Sequence, residues 1–257
     1  MDTTSRRPLG RSGLSVSPVG FGAFKIGRNE GVKYREGYDL PSDEESHRIL
    51  NGVLDLGVNL IDTAPAYGLS EERIGQALAG RRGEFVLSTK VGETWGDGRG
   101  RYDFSASAVQ ASLDRSLRRL RTDHLDIVFV HSDGNDLDIV RNGETLEVLA
   151  NRRARGDLGL VGFSGKTVEG HRAAMSTGVV DALMVEYHAL DRTQLEIIEE
   201  AADRGIAILI KKGLASGRLS PPEAIPDCLA PRGVSSVVIG SLNLGHLETN
   251  LEIAIGG

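Results

Sequence analysis

A chain of 257 residues is long enough to bury one large core, and 40% apolar with 26% charged residues is ordinary globular composition. The formal net charge of −6 argues against a nucleic-acid surface. The single cysteine, Cys228, excludes an internal disulfide and a cysteine-built metal site, and no apolar run approaches the ~20 residues of a membrane span. Met1 to Pro8 is polar and unlike a signal peptide. These features lead us to expect a cytoplasmic protein, a single domain over 1–257, with no metal and no membrane partner. Arg115, Arg118, Arg119 and Arg121 cluster, but Asp114 and Asp123 beside them mark a solvated helix face.

In chain order, Leu9, Leu14 and Val16 flank a Ser12-Gly13 turn and predict a small hairpin. Val19 to Phe24 reads as a short strand whose glycines allow close approach. Residues 25–41 form a polar loop. Ser42 caps a helix running to about Leu56, with Ile49, Leu50, Val53 and Leu54 as its stripe. Val58 to Ile61 is a buried strand ending at Asp62, followed by a loop with Pro65, Tyr67 and Gly68 and a helix for which Ser70 reads as the N-cap. The strand 85–90 ends in Lys90 and precedes a glycine-rich loop with Trp95. A helix spans 105–120, and the strand 125–131 ends in His131. Residues 144–155 are helical. The strand 160–164 ends in Ser164 and leads to a helix over 168–176. After the strand 182–186, Asp191 caps a helix to about Arg204, and the strand 206–211 ends in Lys211. Residues 219–233 carry four prolines and leave room for only a turn or two of helix. Val237 to Gly240 is the last strand, and a helix opens near Leu244.

Eight apolar strands, each but the doubtful seventh followed by a helical pattern, are the signature of an α/β (β/α)₈ TIM barrel with a short N-terminal β-hairpin. A doubly wound sheet fits less well, because no G-x-G-x-x-G opens a helix after the first strand. In a barrel, successive strand ends are neighbours, so Asp62, Tyr67, Lys90 and His131 converge on the face where barrel chemistry sits. A Tyr hydroxyl is a poor acid near neutrality, and a nearby Lys ammonium favours its phenolate. Asp62 can keep Lys90 charged and aimed, and His131 can donate to a substrate oxygen. This group suits protonation of an oxygen on which negative charge develops, as in carbonyl reduction with hydride from a cofactor.

The chain resembles the aldo-keto reductases. The matching pieces are Gly57…Asp62-Thr63-Ala64…Tyr67-Gly68…Ser70-Glu71…Gly75, Ser88-Thr89-Lys90-Val91-Gly92, Asp126-Ile127…His131-Ser132, Gly162-Phe163-Ser164 and Gly240-Ser241…Asn250, in the family's order and spacing. The resemblance implies a (β/α)₈ barrel and a catalytic tetrad of Asp62, Tyr67, Lys90 and His131, with Tyr67 the general acid in reduction. It implies NADPH (NADP+), less often NADH, as cofactor. Gly22, Ala23 and Phe24, with Asp62, would lie beside the nicotinamide ribose. Ser164, Gly165 and Met184 would lie at the carboxamide, Lys211 at the nicotinamide, and Leu214 and Ser216 near the pyrophosphate. Gly240, Ser241, Leu242, Asn243, His246, Thr249 and Asn250 would surround the adenosine phosphate and adenine. Phe24, Trp95 and His131 would face a small carbonyl substrate, and the protein would be a monomer or small homo-oligomer.

Several positions depart from the family pattern. Gly165 stands where Asn is usual, Met184 where Gln is usual, and Lys211 where an aromatic often stacks. Gly240 and His246 stand where a basic pair clamps the 2′-phosphate in many relatives, which weakens the case for strict NADP preference. An NAD-dependent sugar or alcohol dehydrogenase and a nucleotide-sensing binding subunit are the competing functions. A Schiff-base lyase using Lys90 fits poorly, because pairing with Asp62 holds that amine protonated.

Overall fold

The computed structural model describes residues 6–31 and 37–256. Part of the polar loop, residues 32–36, lies outside the described residues, as do 1–5, where the polar start begins, and residue 257. Eight parallel strands close into a barrel: β1 (Val19–Gly22), β2 (Leu60–Asp62), β3 (Val86–Val91), β4 (Leu125–His131), β5 (Leu158–Ser164), β6 (Ala182–Glu186), β7 (Ala207–Lys211) and β8 (Val234–Ile239). Neighbours in sequence are neighbours in space, and β8 closes on β1 with Val237 opposite Val19 and Ile239 opposite Phe21. The strands read as continuous apolar runs because both faces are covered. One face packs the barrel interior, where Leu60, Phe129, Met184 and Leu209 meet, and the other packs under the helices.

The helices are α1 (Asp43–Asp55), α2 (Ser70–Leu78), α3 (Ala106–Leu120), α4 (Asp136–Asn142), α5 (Glu144–Arg155), α6 (Val168–Ser176), α7 (Leu195–Asp203), α8 (Pro221–Leu229) and α9 (Leu244–Gly256). Ser42 caps α1 as expected, accepting from the Glu45 amide. The N-terminal hairpin pairs Arg7–Pro8 with Ser15–Val16 at the end of the barrel away from the strand C-termini, and Arg7 donates to the carbonyls of Val234 and Leu229.

Four local expectations are corrected, and one short helix is additional to those expected. Ser70 is the first residue of α2 and does not cap it; its hydroxyl donates to the Ala23 carbonyl and meets Thr63 Oγ1, tying the start of α2 to the end of β1. Asp191 does not cap α7, which starts at Leu195; its carboxylate accepts from the Thr193 amide and hydroxyl in a turn of its own. The proline-rich stretch forms the nine-residue α8, because Pro221 and Pro222 occupy the first turn, where a missing N–H is harmless, and only Pro226 is interior. A short α4 precedes α5. The glycine-rich loop after β3 is a second hairpin, Glu93–Gly96 against Arg99–Tyr102, turning at Asp97 and Gly98 with φ of 51° and 71°.

Candidate active site

The C-terminal ends of β2, β3 and β4 bring Asp62, Lys90 and His131 to one rim. Tyr67 joins them from a tight 3₁₀ turn, Pro65–Tyr67, stopped by Gly68 at a positive φ of 60°. A side chain at Gly27 would run into the Tyr67 carbonyl and the Ser70 amide, so the turn is pressed backbone to backbone against the short helix Ala23–Ile26 that follows β1. Lys90 is 1% exposed and its ammonium donates to both Asp62 oxygens, at 2.8 and 2.7 Å, and to the Thr63 carbonyl at 2.8 Å. Ser88 holds Asp62 Oδ1 from behind at 2.8 Å. The Lys90 nitrogen lies 4.8 Å from the centre of the Tyr67 ring. Tyr67 meets Phe24 edge to face at 5.1 Å between ring centres and His131 at 6.4 Å.

The electrostatics of this group are set by burial first. Desolvation alone would depress Lys90, but Asp62, with Tyr67, outweighs it and holds the ammonium above its usual range. Desolvation raises Tyr67, and Lys90 opposes that without reversing it. The expectation that Lys90 lowers the phenol is therefore met in direction of effect but not in net result: burial prevails and the phenol is held above its usual value. Burial lowers His131, against the pull of Glu93.

Glu93 was not among the candidates from sequence. It opens the second hairpin, opposite Tyr102, and its Oε2 lies 2.8 Å from His131 Nδ1. The signal that could have found it is the Asp97-Gly98 pair, the residue choice of a type I′ hairpin turn. Trp95, expected to bound the substrate pocket, instead lies over the Arg28 guanidinium at 3.7 Å, which also covers Phe24 at 4.7 Å and donates to the Ala66 carbonyl at 2.8 Å. Arg28, Glu93 and Tyr102 line the cleft from that side, and Trp95 does not.

A cleft of about 690 Å³, within the usual size of a ligand site, runs from this group across the barrel mouth. Gly22, Phe24, Asp62, Ser164, Gly165, Met184, Lys211, Leu214, Ser216 and Gly240 line it together with Tyr67, Lys90 and His131. Ala23 is buried below, and Ser241, Leu242, Asn243, His246, Thr249 and Asn250 lie beyond the cleft formed by the described residues. Lys211 bends over β5, donating to Ser164 Oγ at 3.0 Å and the Gly165 carbonyl at 2.8 Å; burial, then the neighbouring Lys212, pulls its amine down to about 7. A Cβ at Gly165 would crowd the side chains of Phe163 at 2.8 Å and His171 at 3.0 Å, so a larger residue here needs those rings to shift. At the far side, Ala215, Ser216 and Gly217 are successive left-handed residues. Among the described residues no acceptor takes the Ser216 amide or hydroxyl, a disposition suited to an anionic phosphate oxygen. The donor set therefore fits a phosphate-bearing dinucleotide.

Among the described residues no helix is long and apolar enough to cross a membrane. The crystal structure of a Pseudomonas aeruginosa protein assigned to the aldo-keto reductases matches with a TM-score of 0.88 at 44% identity, covering 98% of this chain and 95% of that one. L-galactose dehydrogenase of Arabidopsis thaliana is 28% identical over 95% of this chain and 86% of its own. The NADH-specific methylglyoxal reductase of Escherichia coli is 29% identical over 83% and 68%. The model of the aldo/keto reductase family matches residues 18–227, and the chain belongs to that family of oxidoreductases.

Proposed function

We propose that the protein interconverts a small carbonyl compound and its alcohol, with Tyr67 as general acid in reduction and base in oxidation. Aldo-keto reductases are nicotinamide-dependent enzymes of carbonyl reduction, and the bound cofactor supplies the hydride. The observation that carries the reading is the buried Lys90 ammonium, clamped by Asp62 and held against Tyr67, since a fixed cation beside the phenol stabilises the phenolate that proton donation leaves behind. His131 lies across from Tyr67 and completes a slot for one substrate oxygen. Gly22, Phe24 and Ser164 would hold the nicotinamide half. Lys211 would stand in for the missing Asn and Gln at the carboxamide, and Leu214 and Ser216 would meet the pyrophosphate.

The resemblance favours NADPH. The sequence from Gly233 to Gly257 carries no Lys or Arg, and His246 is the one residue there able to become cationic, which favours use of NADH as well. A sugar or alcohol dehydrogenase using NAD+ is the second reading, supported by the same feature. Titration with NADPH and NADH, read by quenching of the single tryptophan, Trp95, separates them. Tyr67→Phe tests the acid. Cofactor affinity should stay within about twofold and kcat should fall by about 10² or more. Undiminished turnover in that variant would remove Tyr67 from the role.

A further inference from the structure

Lys90 and Lys211 both line the cleft, and their surroundings treat them in opposite ways. The Lys90 ammonium donates to three oxygens, two of them on a carboxylate. Lys211, half-buried at the end of β7, donates to two neutral acceptors, Ser164 Oγ at 3.0 Å and the Gly165 carbonyl at 2.8 Å. Among the described residues it forms no ion pair. The two carboxylates whose charge reaches it are committed elsewhere, Glu186 on β6 to Lys212, and Asp136 on α4 to Ser132, Thr167 and the Lys166 amide. An ammonium has three N–H bonds to place, whereas a neutral amine has two and a lone pair. The two acceptors take the two N–H bonds and leave the lone pair, the nucleophilic part of the group, unused.

The electrostatics agree with that count. Burial, then the charges of Lys212 and Lys90, disfavours an ammonium at Lys211, and Glu186 and Asp136 do not outweigh them, so the amine sits at about 7. The other titratable neighbours, His171 on α6 and His131 on β4, are both held below the usual histidine range, mainly by burial. At pH 7 about half of such an amine is free base, against fewer than about one in a thousand for an ordinary lysine.

We propose that Lys211 is a modification site for aldehydes: in the cofactor-free protein its amine condenses reversibly with an aldehyde that enters the cleft, and the adduct occupies the place of the nicotinamide. The competition with the nicotinamide rests on the function proposed above; the capture itself does not.

The Lys211 nitrogen forms a bond to the carbonyl carbon, and one of its protons passes to the oxygen, giving a carbinolamine. The second N–H proton and the hydroxyl then leave as water, and the C–N bond becomes an imine. Nothing is oxidised or reduced, and water reverses the step. Lys90 does not compete, because Asp62 holds it charged. A carbonyl reductase built this way is blocked by its own class of substrate while its cofactor is absent, and bound cofactor protects it.

The test is trapping. Cofactor-free protein is mixed at pH 7 with benzaldehyde and sodium cyanoborohydride, which reduces an imine to a stable benzyl-lysine, and peptide mass mapping locates the label. Lys211 should be labelled at least about tenfold faster than any of the other five lysines, an advantage that shrinks toward pH 9 as those lysines lose protons. Lys211→Met should lose that label, and Lys211→Arg provides a second variant should the first fail to fold. Equal labelling across the lysines, or labelling led by the exposed Lys212, overturns the proposal, even where benzaldehyde is turned over with cofactor and the proposed function stands. The second readout is protection. Whichever of NADP+ and NAD+ binds, followed by quenching of Trp95, should at saturation slow labelling of Lys211 about tenfold or more and leave Lys212 unchanged. A nucleotide that binds without protecting overturns the competition and the place given to Lys211 in the proposed function. Labelling of Lys211 with binding of neither nucleotide overturns the cofactor reading and leaves the aldehyde capture standing.

Discussion

Asp62→Asn removes the charge that compensates Lys90 while keeping the shape of the site. All three ammonium protons of Lys90 are engaged, two of them by Asp62. Asn can return one oxygen to Lys90, but its NH₂ replaces the other and faces the cation. With Lys90 1% and Asp62 3% exposed, water does not make good the loss. Stranding one partner of a buried pair costs about 3–5 kcal/mol, and the retained oxygen puts this variant near the lower figure. For a chain of this size about 3 kcal/mol corresponds to a fall in Tm of roughly 6–12 °C. The pH dependence carries a sign. In the native protein Lys90 is held above its usual value, so its contribution is full at neutral pH and is lost only as pH rises through that higher value. In the variant, burial without Asp62 drives the amine below its usual value. The variant's stability should then rise between pH 7 and 10 as the stranded ammonium gives up its proton, and the deficit should shrink. Differential scanning calorimetry of both proteins over that range is the assay. A deficit under about 2 °C at pH 7, or one that stays constant to pH 10, would refute the account of Lys90 as a buried cation held by Asp62.

Lys211→Met should be relatively most stabilising near pH 7. The Lys211 amine, drawn down to about 7 by burial, penalises the fold below that value, and the penalty disappears as pH rises toward the usual lysine range. The Tm difference between variant and native protein, followed from pH 7 to 10, should move in the native protein's favour. Gly75→Ala replaces a mid-helix glycine with the better helix former, yet it should destabilise by about 1–3 kcal/mol, because its Cβ would meet the α3 backbone at Leu120, 2.7 to 2.8 Å away. A denaturant midpoint above the native one would contradict that packing. Gly98→Ala, at a φ of 71°, should loosen the Glu93 hairpin, seen as faster amide exchange at Thr94 and Arg101, a hydrogen-bonded pair, with the barrel strands unaffected.

The alternation of apolar strands with helices made the barrel legible from sequence, because a strand covered on both faces has to be apolar throughout. Asp62, Lys90 and His131 were legible for the same reason: each is a charged or titratable residue at the end of such a run. Ser70 misled because a serine before two glutamates looks like a cap, whereas its hydroxyl is spent on Thr63 in the preceding loop and on Ala23, far off in sequence. The Glu93 hairpin was missed because its strands are four residues each and polar, stabilised by pairing and by a turn rather than by a core. The posture of Lys211 over Ser164 depends on β5 and β7 flanking β6, so that their ends meet across one strand at the barrel mouth, and no local pattern encodes it.

The pairing of β8 with β1 also bears on how the protein is made. Ser236 donates to the Pro18 carbonyl across 218 residues, so the barrel cannot close until the eighth strand has left the ribosome. At roughly 5–20 residues per second that wait lasts tens of seconds. Until then β1 and whichever strand was made last lack their partners, leaving apolar edges of the kind that invites pairing with another chain. Gly22, on β1, and Gly240, just after β8, lie side by side at this seam, so the cleft that would receive a cofactor is assembled last. Overexpressed protein should therefore be most prone to aggregate during synthesis, and a lower expression level or a chaperone that shields strand edges should raise the yield of closed barrel more than any stabilising change in its finished core.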